Sequence, residues 1–266
     1  MKKSSFFKNK LVWITGASSG IGEHLTYQLA NLEANLVISA RTESELQRVK
    51  ANCNNNANIM VLPLDLSDIN SIKDKVKKVK EVFGKIDILI NNAGIGQNGF
   101  VADTQINIYQ KVLDINLIGT ITLTKAVAPI LQAQGHGQIT IVSSILGHVV
   151  LPKYSAYSMS KHALNAFAHT IRLELKKDNI QVLLVCPGAT QTNMEEKAIN
   201  GSGKVMGIKP KEYETWLLPE KVAQKIIIGI QSGKREVIIG HCYEKLAVFI
   251  NRYFPSIYFK LAVDFE

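Results

Sequence analysis

Cysteine is scarce in this chain of 266 residues. There are three, Cys53, Cys186 and Cys242, scattered and odd in number, with no Cys-x-x-Cys pair. That pattern argues against a disulfide framework and against the common cysteine zinc motifs, and it fits a reducing compartment, the cytoplasm. The six histidines show no ligand spacing, so no metal site is expected from them. His162 and His169, seven apart in a helical stretch, read as packing or surface groups. No uncharged apolar run reaches about 18 residues, so no transmembrane helix is expected. The basic start MKKSSFFKNK is not followed by an apolar stretch of signal-peptide length. Neither a solenoid repeat nor a low-complexity linker divides the chain, which points to a single domain over residues 1–266.

Hydrophobic residues make up 46% and charged residues 20% of the chain. This is an ordinary globular balance, and the length suffices to bury a core without disulfides. The net charge of +9 raises three partners: nucleic acid, an anionic membrane and an anionic cofactor. The lysines are dispersed, however, and the densest run, KDKVKKVKEVFGK, reads as the solvated face of a helix. No nucleic-acid recognition motif accompanies the charge.

Apolar runs alternate with helical patterns. LVWIT, NLVISA, IMVLPLD, IDILINN, GQITIVSS and IQVLLVCPG read as strands, and a long helix is expected from about Gln105 to Gln134. The strands are continuously apolar, as a sheet covered on both faces requires. Strand and helix in alternation give an α/β fold: a Rossmann-type, doubly wound parallel sheet of about seven strands with helices on both faces. The Asn-rich NCNNNANI fits a surface loop between helix and strand.

TGASSGIG, Thr15 to Gly22, lies between the first strand and the first helix. A loop there aims backbone N–H groups and the positive helix end at a phosphate. Gly16 permits the tight turn; Gly20 and Gly22 leave room for close approach. YSMSK places Tyr157 and Lys161 one helical turn apart, on a shared face. A tyrosine has a pKa near 10, and a fixed cation nearby favours its anion. Such a pair suits a phenol that must give and take a proton.

TGASSGIG, NNAG at Asn91–Gly94, YSMSK at Tyr157–Lys161 and PGATQT at Pro187–Thr192 occur in an order and spacing that resemble the short-chain dehydrogenase/reductase family, over about residues 8 to 192. The resemblance implies a nicotinamide cofactor and reversible carbonyl–alcohol chemistry. It makes Tyr157 the general acid of reduction and Lys161 the group that lowers the phenol's pKa and holds the nicotinamide ribose. Ser144, thirteen residues before Tyr157, is picked over Ser143 as the donor to the substrate oxygen. Asn116 would bind a water linking Lys161 to solvent; its plain reading is a mid-helix asparagine satisfying a backbone carbonyl. Gly16, Ser18, Ser19, Gly20, Ile21 and Gly22 would meet the pyrophosphate end. Asn92, Ala93 and Gly94 would line the cleft, and Pro187, Gly188, Thr190 and Thr192 would meet the nicotinamide end.

Ala40 stands where NAD-preferring relatives carry Asp, and Arg41 follows. Arg41, with Ser18, would pair a 2′-phosphate, so NADP(H) is expected over NAD(H). Asp65 would meet the adenine amino group beside the Leu66 N–H, or else serve a local cap that Ser67 or Asp68 could also supply. Residues 193–217 are Gly-rich and charged and read as a mobile substrate lid, with Met194, Met206 and Trp216 as an apolar wall. Cys186 reads as a buried group rather than a nucleophile.

Residues 241–266 form an aromatic extension that includes Tyr243, Phe249, Tyr253, Phe254, Tyr258, Phe259 and Phe265. Leu246, Phe249, Ile250 and Tyr253 share a helical face. Three readings stand open: packing on the protein's own core or pocket, pairing with another subunit, or lying on a membrane surface with Arg252 and Lys260 at the headgroups. A homodimer or homotetramer is expected from the resemblance. The main expectation is an NADP(H)-dependent reductase of an apolar ketone or aldehyde; a nucleotide-sensing protein without turnover is the alternative.

Overall fold

Seven parallel strands carry the structure, a computed structural model that describes residues 5–53 and 57–263. In chain order the elements are β1 (Leu11–Thr15), α1 (Gly20–Asn31), β2 (Asn35–Ser39), α2 (Glu43–Ala51), β3 (Ile59–Val61), α3 (Ile72–Phe83) and β4 (Ile88–Asn91). Then follow α4 (Ile106–Leu113), α5 (Gly119–Gln134), β5 (Gly137–Val142), α6 (Ser155–Glu174) and β6 (Ile180–Pro187). The chain ends with α7 (Pro219–Gln231), β7 (Glu236–Ile239), α8 (Cys242–Tyr253) and α9 (Pro255–Ala262). The centre of the expected NCNNNANI loop, residues 54–56, lies outside the described residues.

The strand order is β3-β2-β1-β4-β5-β6-β7, so the sheet is wound outward in both directions from the β1–β4 seam. β1 shows why its sequence is apolar throughout. Val12 and Ile14 enter one core with Leu25 and Leu29 of α1 and Ile226 and Ile230 of α7. Leu11 and Trp13 enter the opposite core with Val76 and Val79 of α3, Leu123 and Val127 of α5 and Leu164 of α6. Alternate residues of a strand point to opposite faces, and here both faces are dry. Each fully buried side chain of this kind contributes about 1.5–3 kcal/mol.

Polar side chains at the rim fasten this frame. The Asp87 carboxylate accepts from the Leu11 backbone N–H at 2.7 Å and pairs with Lys85. The Trp13 indole donates to Ser39 across β1 and β2.

The expected helix from about Gln105 to Gln134 is interrupted. Asp114–Ile118 forms a π-helical turn between α4 and α5. The stretch Ile106–Gln134 is long and apolar enough to cross a membrane by length and composition, but Leu123, Val127 and Leu131 are spent on the core beneath the sheet.

The aromatic extension folds back on its own domain. Tyr258 and Ala262 pack on Ile145 and Val149, joined by Ala247, Val248 and Ile250. The Tyr258 hydroxyl donates to Val150 O at 2.7 Å, and the Asn251 amide to His148 O at 2.8 Å. Of the face read from the sequence, Ile250 turns inward while Leu246, Phe249 and Tyr253 stay more than half exposed. Phe265 lies outside the described residues.

Candidate active site

A cleft of about 1340 Å³ opens along the carboxyl ends of the strands, where the strand order reverses. Open α/β sheets bind ligands at this position. Gly16, Ser18, Ser19, Gly20 and Ile21 line one end, with Arg41, Asp65 and Leu66. Asn92, Ala93 and Gly94 line the middle. Ser144, Tyr157, Lys161, Pro187, Gly188, Thr190 and Thr192 line the other end. Two expected residues are not on the wall, Gly22 and Asn116.

The glycine loop is built for close approach. Gly16 has φ +67°, and a Cβ there would meet Ala93 Cα at 2.8 Å. A Cβ on Gly22 would lie 2.1 Å from Gly16 O. Gly22 therefore packs α1 against its own loop and stands off the cleft wall. The first-turn N–H groups of α1 have no intrahelical acceptors, and they stand at the cleft with the positive helix end. Thr15 and Asn92 hold this geometry. Thr15 Oγ1 accepts from the N–H groups of Asn92 and Ala93 at 3.0 and 3.1 Å, and the Asn92 amide donates to Thr15 O and Gly16 O.

At the glycine-loop end Arg41 is exposed and, among the described residues, has no hydrogen bond or ion pair. Arg48, which the sequence reading did not single out, binds Ser18 O at 3.0 Å and the Glu23 and Glu45 carboxylates. Asp65 Oδ1 accepts from the Ser67 N–H and hydroxyl at 2.9 and 2.7 Å. It thus shapes a turn, while α3 starts later, after Ser71.

The other end is dry. Tyr157 is 8% and Lys161 2% exposed. Lys161 Nζ donates to Val142 O at 3.1 Å and lies 5.6 Å from the Tyr157 ring centre. Burial drives its pKa down to about 8. Burial also drives the Tyr157 phenol above its ordinary value, and the nearby Glu195 and Tyr154 add to this; a hydrogen bond with Ser144 works in the opposite direction. The phenol thus stands above its ordinary value, with desolvation as the largest cause.

Asn116 sits in the π-helical turn, fully buried. Its Oδ1 accepts from the Ile95 N–H at 2.8 Å, and its Nδ2 donates to Ile95 O and Ser160 Oγ at 3.0 and 3.1 Å. The side-chain amide is thus spent on the loop after β4. Asn116 positions that loop and α6, and its plain reading as a satisfied asparagine describes this geometry.

The same framework recurs in known proteins. The family model described as short chain dehydrogenase matches residues 10–202. Dehydrogenase/reductase SDR family member 7 of Homo sapiens is 39% identical over 253 residues, 92% of this chain and 74% of that protein.

The chain belongs to the short-chain dehydrogenase/reductase family.

Solved structures agree on the fold. A short-chain dehydrogenase/reductase from Burkholderia phymatum, solved in complex with NAD, superposes with a TM-score of 0.83 at 23% identity, covering 97% of this chain and 96% of that one. An alcohol dehydrogenase from Thermococcus sibiricus, complexed with 5-hydroxy-NADP, gives 0.77 at 26% identity, covering 89% and 98%. This short-chain dehydrogenase is accordingly an oxidoreductase with a nicotinamide cofactor. Its bare glycine loop and the open helix end fit a dinucleotide's pyrophosphate.

Contacts from distant segments complete the site. The Glu244 carboxylate, on α8, accepts from the Ala189 and His241 N–H groups at 2.8 and 2.7 Å, so the C-terminal extension braces the loop after β6. In the segment 193–217, Met194 Sδ lies 3.8 Å from the Tyr157 hydroxyl. Met194 and Trp216 line the cleft; Met206 does not. The same segment is pinned through Ile199, which packs on Ile108, Val112 and Ala156. Tyr154 and Glu195 bring polar groups to the same wall, and burial raises the pKa of both, Tyr154 to about 12.

Proposed function

We propose that this oxidoreductase is an NADP(H)-dependent carbonyl reductase acting on an apolar ketone or aldehyde. The observation that carries the reading is the meeting of Ser144, Tyr157 and Lys161 at one dry end of the cleft. When bound, the reduced nicotinamide supplies the hydride to the carbonyl carbon. Tyr157 gives its proton to the carbonyl oxygen; burial keeps that proton on the phenol at neutral pH, so the acid is present when needed. Ser144 donates a hydrogen bond to the same oxygen as charge builds there. Lys161, with a pKa of about 8, is matched to returning a proton to the phenol.

Cofactor preference rests on Arg41 at the open end, where no acidic residue stands at position 40 to repel a phosphate. Leu151, Met194, Trp216, Leu246, Ile250 and Leu261 make the wall beyond the reacting groups largely apolar, which supports an apolar substrate body. The exposed Leu246, Phe249 and Tyr253 support a homo-oligomer, and three free cysteines support a cytoplasmic setting.

The test is spectrophotometric. The purified protein, with ketones and aldehydes of graded chain length, is expected to consume NADPH with a kcat/KM at least about tenfold above that for NADH. A preference for NADH overturns the cofactor assignment. Binding of NADPH without consumption across the whole panel favours a nucleotide sensor.

A further inference from the structure

Beside the catalytic serine, three side chains meet that the sequence keeps far apart. Cys186 is the penultimate residue of β6 and Glu236 the first of β7. The register pairs Leu184 with Glu236 and Cys186 with Ile238, which places Cys186 and Glu236 on one face of the sheet. His148 arrives from the turn that follows Ser144. Its Nε2 lies 2.9 Å from Glu236 Oε1 and 3.3 Å from Cys186 Sγ, and the three donor atoms lie within 4.8 Å of one another.

His148 Nε2 has more neighbours than it can serve. Besides the carboxylate and the sulfur, Asn165 Nδ2 stands 3.4 Å away. A ring nitrogen carries either one proton or one lone pair. With a proton it satisfies Glu236 but meets the Asn165 N–H with a donor. With a lone pair it faces the carboxylate's lone pairs. Asn165 itself is buried, and its Oδ1 has no hydrogen-bond partner among the described residues. With the proton on Nε2, a single hydrogen faces both the carboxylate and the sulfur, whereas a divalent cation between nitrogen, sulfur and oxygen would engage all three as ligands.

We propose that His148, Cys186 and Glu236 form a zinc site that ties β6 and β7 to the turn after Ser144. Imidazole, thiolate and carboxylate are all zinc ligands, with bonds of about 2.0–2.1 Å to nitrogen and oxygen and about 2.3 Å to sulfur. Tetrahedral angles then set nitrogen and oxygen about 3.3 Å apart and nitrogen and sulfur about 3.5 Å apart. The histidine contacts need to open by only a few tenths of an ångström. Thiolate favours zinc over magnesium or calcium.

Cys186 is fully buried, while the His148 and Glu236 side chains retain 23% and 31% exposure, so solvent can supply a fourth ligand. On binding, the thiol loses its proton to the buffer as the Zn–S bond forms. Thiolate and carboxylate together balance the dication. Two cations face the group: Lys161, which acts on Cys186 and donates to Val142 O, and Arg172, which acts on Glu236 and already donates to Val182 O and Arg235 O. The backbone that carries His148 is held from two sides: the Asn165 amide donates to Gly147 O and the Asn251 amide to His148 O, each at 2.8 Å.

The test uses the full chain, stripped with a chelator and titrated with Zn²⁺ against a chromophoric competitor. One equivalent per chain is expected, with a rise in Tm. Cys186→Ser and His148→Gln should weaken binding by more than the about 10–100-fold typical of outer-shell changes. Cys53→Ser and Cys242→Ser should bind as the wild type does. Co²⁺ should give a thiolate charge-transfer band that Cys186→Ser abolishes. Should Cys186→Ser fail to fold, the band in the wild type and its weakening in Glu236→Gln decide. No bound zinc at micromolar free metal, no charge-transfer band, or binding that survives Cys186→Ser, overturns the site and leaves a His–Glu contact beside a buried thiol.

Discussion

The two ends of the cleft are made of different materials. The glycine-loop end consists of backbone: bare glycines, a helix N-terminus, N–H groups held by Thr15 and carbonyls held by the Asn92 amide. Its basic side chains, Arg41 and Arg48, sit in solvent. The reacting end consists of side chains, and they are buried: Tyr157, Lys161 and their neighbour Cys186. Water screens charge at the first end, so recognition there depends on geometry and on several shared hydrogen bonds. At the second end, desolvation dominates, raising the phenol and lowering the amine. A wet end suits holding a cofactor; a dry end suits moving a proton.

The comparison breaks most directly at the phenol. Tyr157→Phe removes only a hydroxyl from the dry end, and kcat should fall about 10²–10⁴-fold. The dissociation constant for NADPH, measured by fluorescence titration, should stay within about twofold. An equal loss of cofactor binding would show that the two ends are not separate devices.

Ser144→Ala removes one donor to the developing oxyanion, and kcat should fall about 10²–10³-fold. Steady-state kinetics should show this loss in kcat rather than in the KM for NADPH.

Lys161→Met tests the cost of the dry end. The folded pKa of about 8 lies below the ordinary 10.5. Below about pH 8 both the folded and unfolded chains hold the proton, and the full burial penalty is present. Between about pH 8 and 10.5 the unfolded chain holds a proton that the folded chain has released, so stability rises with pH. The shift corresponds to a penalty on the order of 3 kcal/mol. Urea unfolding should find Lys161→Met inactive but more stable than wild type at pH 7, with the difference fading by pH 10.5.

Arg41→Ala sharpens the wet end. The kcat/KM for NADPH should fall about 10–100-fold, the worth of a hydrogen bond to a charged group. The value for NADH should barely move. Equal losses for both cofactors would place Arg41 away from the 2′-phosphate.

What could be read from the sequence follows the distance along the chain between partners. TGASSGIG is one contiguous loop, and Tyr157 and Lys161 are one helical turn apart, so composition and spacing sufficed for both. Ser144 and Asn116 needed the family's pattern, and the structure gives Asn116 a supporting task through the π-helical turn, a local insertion no periodicity announced. Glu244 reaches Ala189 across 55 residues, and His148 reaches Cys186 across 38. Neither pairing follows from ligand spacing, because the sheet register and the return of the C-terminal extension create it. The aromatic extension was legible as a segment in need of burial. Its inward residues, Ile250 and Tyr258 among them, were chosen by the packing of α8 and α9 on Ile145 and Val149.

By itself, the sequence determined six of the seven strands, the glycine loop and the phenol–amine pair, because each is a pattern of neighbours set by backbone geometry; the short edge strand β7 was not among the apolar runs. Tertiary structure decided how dry the reacting end is, and with it the direction in which the phenol and the amine titrate. It also decided which remote side chains share one point in space. Desolvation and long-range convergence are properties of the packed whole, and no local stretch of residues carries them.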